Sequence, residues 1–246
     1  MNKLLVFKPP EKGARYSIGI DTGTGVGGDR NVLWVNKSGE DAVPDEQVAE
    51  FSSDTISNVE IYAWALCLGA YYGIYLDDDQ VRYVIEQRRK YGDACYAALK
   101  VHGMTRHHHF HEYDKRGKPK KSVNAREGWW TNEWSRPLLL GVFQHAVENG
   151  WCIVNSRFAI EEIETTEQKT TSGGKTREDH RSGMHDDRKF AGAMAYFTFH
   201  DYDLMAERAK ARYNSSQEEG YEVDYRPWVQ SVPNPGAVEF FARFEQ

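Results

Sequence analysis

The chain has 246 residues, 40% of them hydrophobic and 28% charged, with a formal net charge of −6. That length carries one sizeable domain or two small ones; no apolar run reaches the ~18 residues of a membrane span, and the net acidity excludes a surface built wholly for nucleic acid. Cys67, Cys95 and Cys152 lie far apart without CxxC spacing, which points to a reducing compartment and away from structural zinc.

Residues 1–14 read as an irregular lead-in, because Pro9-Pro10 blocks regular structure. A first strand, 15–21, ends on Asp21 and runs into a glycine-rich turn. A second strand, 31–36, closes on Lys37-Ser-Gly39, and a third, 46–51, completes an antiparallel meander. Ser57 and Glu60 have the spacing of a capping box for a helix that Gly73 ends. A fourth strand, 81–86, ends on Glu86, and an alanine-rich helix, 93–102, stops at Gly103. Residues 107–113 form a fifth strand, followed by a basic loop to about residue 128.

Trp129, Trp130 and Trp134 precede a helix over 135–149, with Pro137 tolerated in its first turn. A short strand at 152–155, a short helix at 156–164 and an extended arm or hairpin at 167–174 come next. Phe190, Ala193, Met194, Phe197, Leu204 and Met205 trace one face of a last helix, from His185 to about Lys210. Residues 15–210 are thus expected to form one α/β domain, with 211–246 as an irregular extension packed on it.

The meander followed by alternating strands and helices predicts a mixed sheet of order 3-2-1-4-5, flanked by helices. That order sets the fourth strand beside the first, so Asp21 and Glu86 end neighbouring strands about 4.8 Å apart. Ligand-binding groups sit beyond the carboxyl ends of strands in open sheets. Two carboxylates so close repel unless a cation neutralises them, and hard divalent cations take carboxylate oxygens. A third acidic site, His185-Asp186-Asp187, opens the last helix. Helix-capping preference explains one acid there but not two after a histidine.

Basic residues gather near these acids. Lys115, Arg116, Lys118, Lys120 and Lys121 put five cations in seven residues, Arg88-Arg-Lys90 follows Glu86, and Lys175, Arg177, Arg181, Arg188 and Lys189 surround the third site. Each run alone reads as a solvated loop or helix face; their adjacency to the acids favours phosphate binding. His107 to His111 reads as a polar edge strand rather than a zinc site, since successive strand residues face opposite ways. Asp77-Asp-Asp79 reads as a solvated turn and the tryptophans as core.

Residues 183–195, Gly-Met-His-Asp-Asp-Arg-Lys-Phe-Ala-Gly-Ala-Met-Ala, resemble the G-x-HDD-x-x-x-A-x-A-x-A element in the nuclease domain of the large terminases of tailed bacteriophages. Residues 129–140 with Glu148-Asn-Gly150 resemble that family's tryptophan–threonine–Arg-Pro helix and its end. Residues 16–25 resemble its first acidic strand, and Val84-Ile-Glu86 its second acidic site.

The resemblance implies an RNase H-like fold in which Asp21, Glu86 and Asp186 or Asp187 hold two Mg²⁺ or Mn²⁺ ions. It implies an endonuclease that cuts double-stranded viral DNA concatemers during packaging, in the cytoplasm of the infected host. His185 would support the centre and Lys175 would steady the phosphorane. Lys115, Arg116, Lys118, Lys120, Lys121, Arg177, Arg181 and Arg188 would grip the DNA backbone with little sequence reading. An ATPase domain, a portal and a small terminase subunit are the implied partners.

The chain lacks the G-x-x-x-x-G-K-(S/T) loop of a packaging ATPase; Gly173-Gly-Lys-Thr176 ends like one, but Lys169 stands where the earlier glycine belongs. Two other enzyme classes share part of the pattern. Junction resolvases and transposases use the same acidic logic, and Asp21-Thr-Gly-Thr24 also resembles the first phosphate loop of actin-like ATPases and sugar kinases. A catalytically inert docking module is disfavoured by the presence of all three acidic sites.

Overall fold

The computed structural model describes residues 3–23, 30–39, 43–57, 60–73, 81–87, 91–101, 109–110, 126–132, 135–170, 176–180 and 186–198. In chain order these form β1 (Lys3–Val6), β2 (Tyr16–Asp21), β3 (Asn31–Lys37), β4 (Asp45–Ser53), α1 (Ile61–Tyr72), β5 (Val81–Ile85), α2 (Tyr91–Val101), β6 (His109–Phe110) and β7 (Arg126–Glu127). The second half gives α3 (Ser135–Glu148), β8 (Cys152–Ile153), α4 (Arg157–Glu164), β9 (Thr166–Thr170), β10 (Thr176–His180) and α5 (Asp187–Phe197).

The main sheet has the order β1-β4-β3-β2-β5, with β8 pairing β4. β2, β3 and β4 form the antiparallel meander expected from sequence, and β5 lies parallel to β2, with Ile20 opposite Ile85. Strand alternation sorts the side chains into two cores. Tyr16, Ile18, Ile20, Leu33, Val35, Tyr83 and Ile85 face α1 and α2. Val32, Trp34 and Val84 face α3 and α5 on the other side. The odd residues of β2 also face α5, and Ser17 Oγ donates to the Ala195 carbonyl at 2.7 Å.

Gly19 makes that approach possible. A Cβ at this position would lie 2.0 Å from the Ala191 carbonyl oxygen and 2.9 Å from the Ala195 nitrogen, so any side chain would push the helix off the strand. One turn is also specified as read: Glu60 accepts the Ser57 N–H at 2.8 Å and Ser57 Oγ accepts the Glu60 N–H at 3.2 Å, the reciprocal capping pair before α1.

Two expectations are corrected. The 1–14 segment is not wholly irregular, because β1 pairs antiparallel with β4, Lys3 opposite Ser52 through Val6 opposite Ala49. Pro9-Pro10 breaks the chain after this strand, not within it. Of the expected fifth strand, 107–113, only His109 and Phe110 are described, and these form β6, which pairs with β7 in a separate two-stranded ribbon, His109 opposite Glu127. At the opposite edge of the main sheet, beyond β4, lies β1.

Of the expected 167–174 arm or hairpin, 167–170 lie in β9, which pairs antiparallel with β10, and 171–174 lie outside the described residues. α5 starts at Asp187 with Asp186 as its cap and is described to Phe197; the expected continuation to Lys210 and the 211–246 extension lie outside the described residues. Among the described residues no helix is long and apolar enough to cross a membrane.

Candidate metal centre

The parallel pairing of β2 and β5 carries Asp21 and Glu86 to the same end of the sheet, where the Glu86 N–H donates to the Ile20 carbonyl at 3.0 Å. α5 crosses the same face and brings its first residues, Asp186 and Asp187, to these strand ends. All four acids are buried, between 5% and 9% exposed, so water screens their charges poorly. Burial pushes the Asp21 carboxyl well above the usual carboxylate range, followed by the charges of Glu86 and Asp187, a hydrogen bond shared with Glu86, and the charge of Asp186.

Two further groups enter from one stretch of chain. Trp129 is bridged to Glu86: its N–H donates to the Ile85 carbonyl at 2.7 Å, and its own carbonyl accepts the Gln87 N–H at 2.7 Å. Two residues on, Thr131 Oγ1 donates to Glu86 Oε1 at 2.5 Å. In the first turn of α3, the Arg136 guanidinium pairs with the Asp186 carboxylate and lies 4.7 Å over the Phe190 ring. Burial alone would lower the Arg136 pKa; the charges of Asp186, Asp21 and Glu86 outweigh it and hold the guanidinium above its ordinary value. Asp187 Oδ2 accepts the Arg30 backbone N–H at 3.1 Å.

A second ionic group anchors the start of α5 from behind. Arg188 Nε donates to Glu50 at 2.7 Å, Nη1 to Glu162 at 2.6 Å, and Nη2 to Ser52 Oγ at 3.0 Å. Glu162 also accepts the Arg188 backbone N–H at 2.8 Å, which satisfies an otherwise open donor of the helix terminus. Burial drives the Glu162 carboxyl up to about 7, although Arg188 pulls the other way.

The donors suit a hard divalent cation. All four side chains offer carboxylate oxygens, which Mg²⁺ and Mn²⁺ prefer, and burial followed by the charges of the neighbouring acids raises the Asp21 pKa. Among the described residues no three His, Cys, Asp or Glu side chains stand already converged on one point. Asp186 is turned toward Arg136 and Asp187 toward the Arg30 N–H.

No family model matches the sequence, and no curated protein sequence does either. Solved structures do match. The large terminase nuclease of thermophilic phage G20c with bound magnesium aligns over 78% of this chain and 86% of its own, at 19% identity and TM-score 0.55. The nuclease domain of Thermus phage P74-26 aligns over 78% and 84%, at 20% identity and TM-score 0.51. The fold is that of the large terminase nucleases. A whole large terminase, from another thermophilic bacteriophage, aligns over 79% of this chain but 42% of its own, at 12% identity and TM-score 0.51.

Within this terminase-nuclease fold, the predicted Asp21, Glu86, Asp186 and Asp187 lie at the same end of the sheet, near enough for the charges of the other three to act on Asp21 but not converged on one point. His185, Lys175, Arg181, Lys115, Arg116, Lys118, Lys120 and Lys121 lie outside the described residues, and Arg177 is placed only by its backbone in β10 opposite Lys169. Arg188 does not fit the expectation of a DNA contact. Its side chain is 7% exposed and tied to Glu50 and Glu162. Thr131 and Arg136 do not stand out from sequence as site residues, although both lie in the stretch that resembles the terminase tryptophan helix. Glu50 and Glu162 leave no signal, because an acid on a strand or an amphipathic helix reads as a solvated position.

Proposed function

We propose that the chain is a divalent-metal-dependent endonuclease that hydrolyses double-stranded DNA with little sequence preference, serving phage genome packaging. The observation that carries this reading is the meeting of four buried carboxylates from β2, β5 and α5 at one end of a terminase-nuclease sheet. Asp21, Glu86 and Asp187, with Asp186 beside them, would hold two Mg²⁺ or Mn²⁺ ions. Such ions supply an activated water and charge stabilisation for the leaving oxygen in phosphodiester hydrolysis.

The remaining chemistry belongs to the chain. Thr131 fixes one oxygen of Glu86, leaving the other to turn toward the site. Burial on α5 and β2 keeps competing water from the carboxylates. Lys175 would balance charge at phosphorus, with Lys115, Arg116, Lys118, Lys120, Lys121, Arg177 and Arg181 holding the duplex backbone. An ATPase domain, the portal and the small terminase subunit are the proposed partners, and the infected host's cytoplasm the proposed setting.

Plasmid nicking with millimolar Mn²⁺ tests the reading. Wild type should relax and linearise supercoiled DNA, EDTA should stop it, and Asp21→Asn, Glu86→Gln and Asp187→Asn should each abolish it. Cleavage that persists undiminished in EDTA would refute the metal assignment.

A further inference from the structure

Arg136 sits oddly for a scaffold residue. Its guanidinium is among the carboxylates of the centre, paired with Asp186 and close enough to Asp21 and Glu86 for both to hold its proton more firmly. Its place is fixed from several sides. The residue lies in the first turn of α3, where its backbone N–H donates to the Asn132 carbonyl at 3.2 Å, and Pro137 follows it directly. Phe190, one turn along α5 from Asp186, supports the flat face of the guanidinium. Two helices therefore hold one cation against the acids.

We propose that Arg136 is the resident counter-charge of this centre, a positioning residue that draws Asp186 aside and competes with the divalent cation for Asp21 and Glu86. This inference rests on the reading of the cluster as a metal site. A fixed unit charge a few ångströms from a dication repels it strongly in a poorly screened site. The same charge offsets the mutual repulsion of the carboxylates when metal is absent. Arg136 thus trades metal affinity for a metal-free site that stays folded. It also separates the roles of the adjacent aspartates: Asp186 holds the arginine, which would leave Asp187 for the cation.

The test is Mn²⁺ binding by the full chain, measured by titration calorimetry without DNA, together with the rise in melting temperature from EDTA to Mn²⁺. Arg136→Ala should bind Mn²⁺ more tightly, on the order of tenfold, and Arg136→Lys, which keeps the charge, should stay close to wild type. The Mn²⁺-induced rise in melting temperature should be larger in Arg136→Ala, because its metal-free form carries unbalanced acids. Arg136→Gln keeps a donor for Asp186 without the charge; it should also tighten binding, and it decides the question if the alanine variant does not fold.

Equal or weaker Mn²⁺ binding by the neutral variants, with binding intact in wild type and lost in Asp187→Asn, overturns the role of Arg136 alone. No Mn²⁺ binding by wild type, or undiminished binding by Asp187→Asn, overturns the metal reading and the inference with it.

Discussion

Thr131 Oγ1 donates to Glu86 Oε1 at 2.5 Å, from a segment whose backbone is bridged to the strand end that carries this glutamate. The hydroxyl and its acceptor are therefore locked by the same pair of backbone bonds. One carboxylate oxygen is occupied, and the rotation that would turn the other away from the site is opposed.

Thr131→Val, which keeps the shape and removes the donor, should lower cleavage about 10- to 100-fold. The melting temperature should stay near that of wild type, since no apolar contact is lost. Full activity in steady-state nicking assays would mean that Glu86 is oriented without help.

Asp21 gives a pH dependence in metal-free buffer. Its folded-state pKa is raised, so the native chain keeps a proton that the unfolded chain releases once pH passes the ordinary carboxylate value. The resulting stability is present in full below that value and is lost as pH rises through the folded pKa. Asp21→Asn should therefore be more stable than wild type in EDTA at pH 8, with the advantage gone near pH 4. Chemical denaturation at the two pH values measures it, and no gain at pH 8 would mean that the acids do not strain the fold.

Arg188 is bound on both sides by buried acids, so removing it strands two charges. Arg188→Ala should cost about 3–5 kcal/mol, the usual penalty for breaking a buried pair. The loss should appear in urea unfolding without any DNA or metal. A cost under about 1 kcal/mol, the size of a surface pair, would place this group at the surface after all.

The basic run is tested through salt. Replacing Lys118, Lys120 and Lys121 together should flatten the slope of log affinity for duplex DNA against log salt by roughly 2–3 units. Mn²⁺ affinity should not change. An unchanged slope would move the duplex contact to Arg177 and Arg181.

The sequence is most legible where local pattern and long-range pairing agree. The alternation of 16–21 and the apolar run before Glu86 each specify a strand ending in an acid. The order of elements then sets the two side by side, as Ile20 opposite Ile85 confirms. It is least legible where a polar residue is buried by a partner distant in the chain. Arg188 looks like one more surface cation until Glu50, 138 residues away, is seen to receive it at 2.7 Å. Arg136 presents the same difficulty in reverse: its partner, Asp186, is marked, but nothing local says that α3 starts beside α5. β1 escapes notice for another reason, since the proline pair after its short apolar run draws attention from the run itself.

The contact at Gly19 acts on the whole centre as a gauge block acts on a caliper. One jaw is the middle of β2 and the other the body of α5 at Ala191 and Ala195, and they close until backbone meets backbone. The approach of the helix that carries Asp187 to the strand that carries Asp21 is set by an atom that is not there. Exchanging an acid alters one carboxylate at a time. Adding a single methyl two residues before Asp21 would shift both acids at the head of α5 together, so the spacing of the carboxylates and the packing of the core are one property of this fold rather than two.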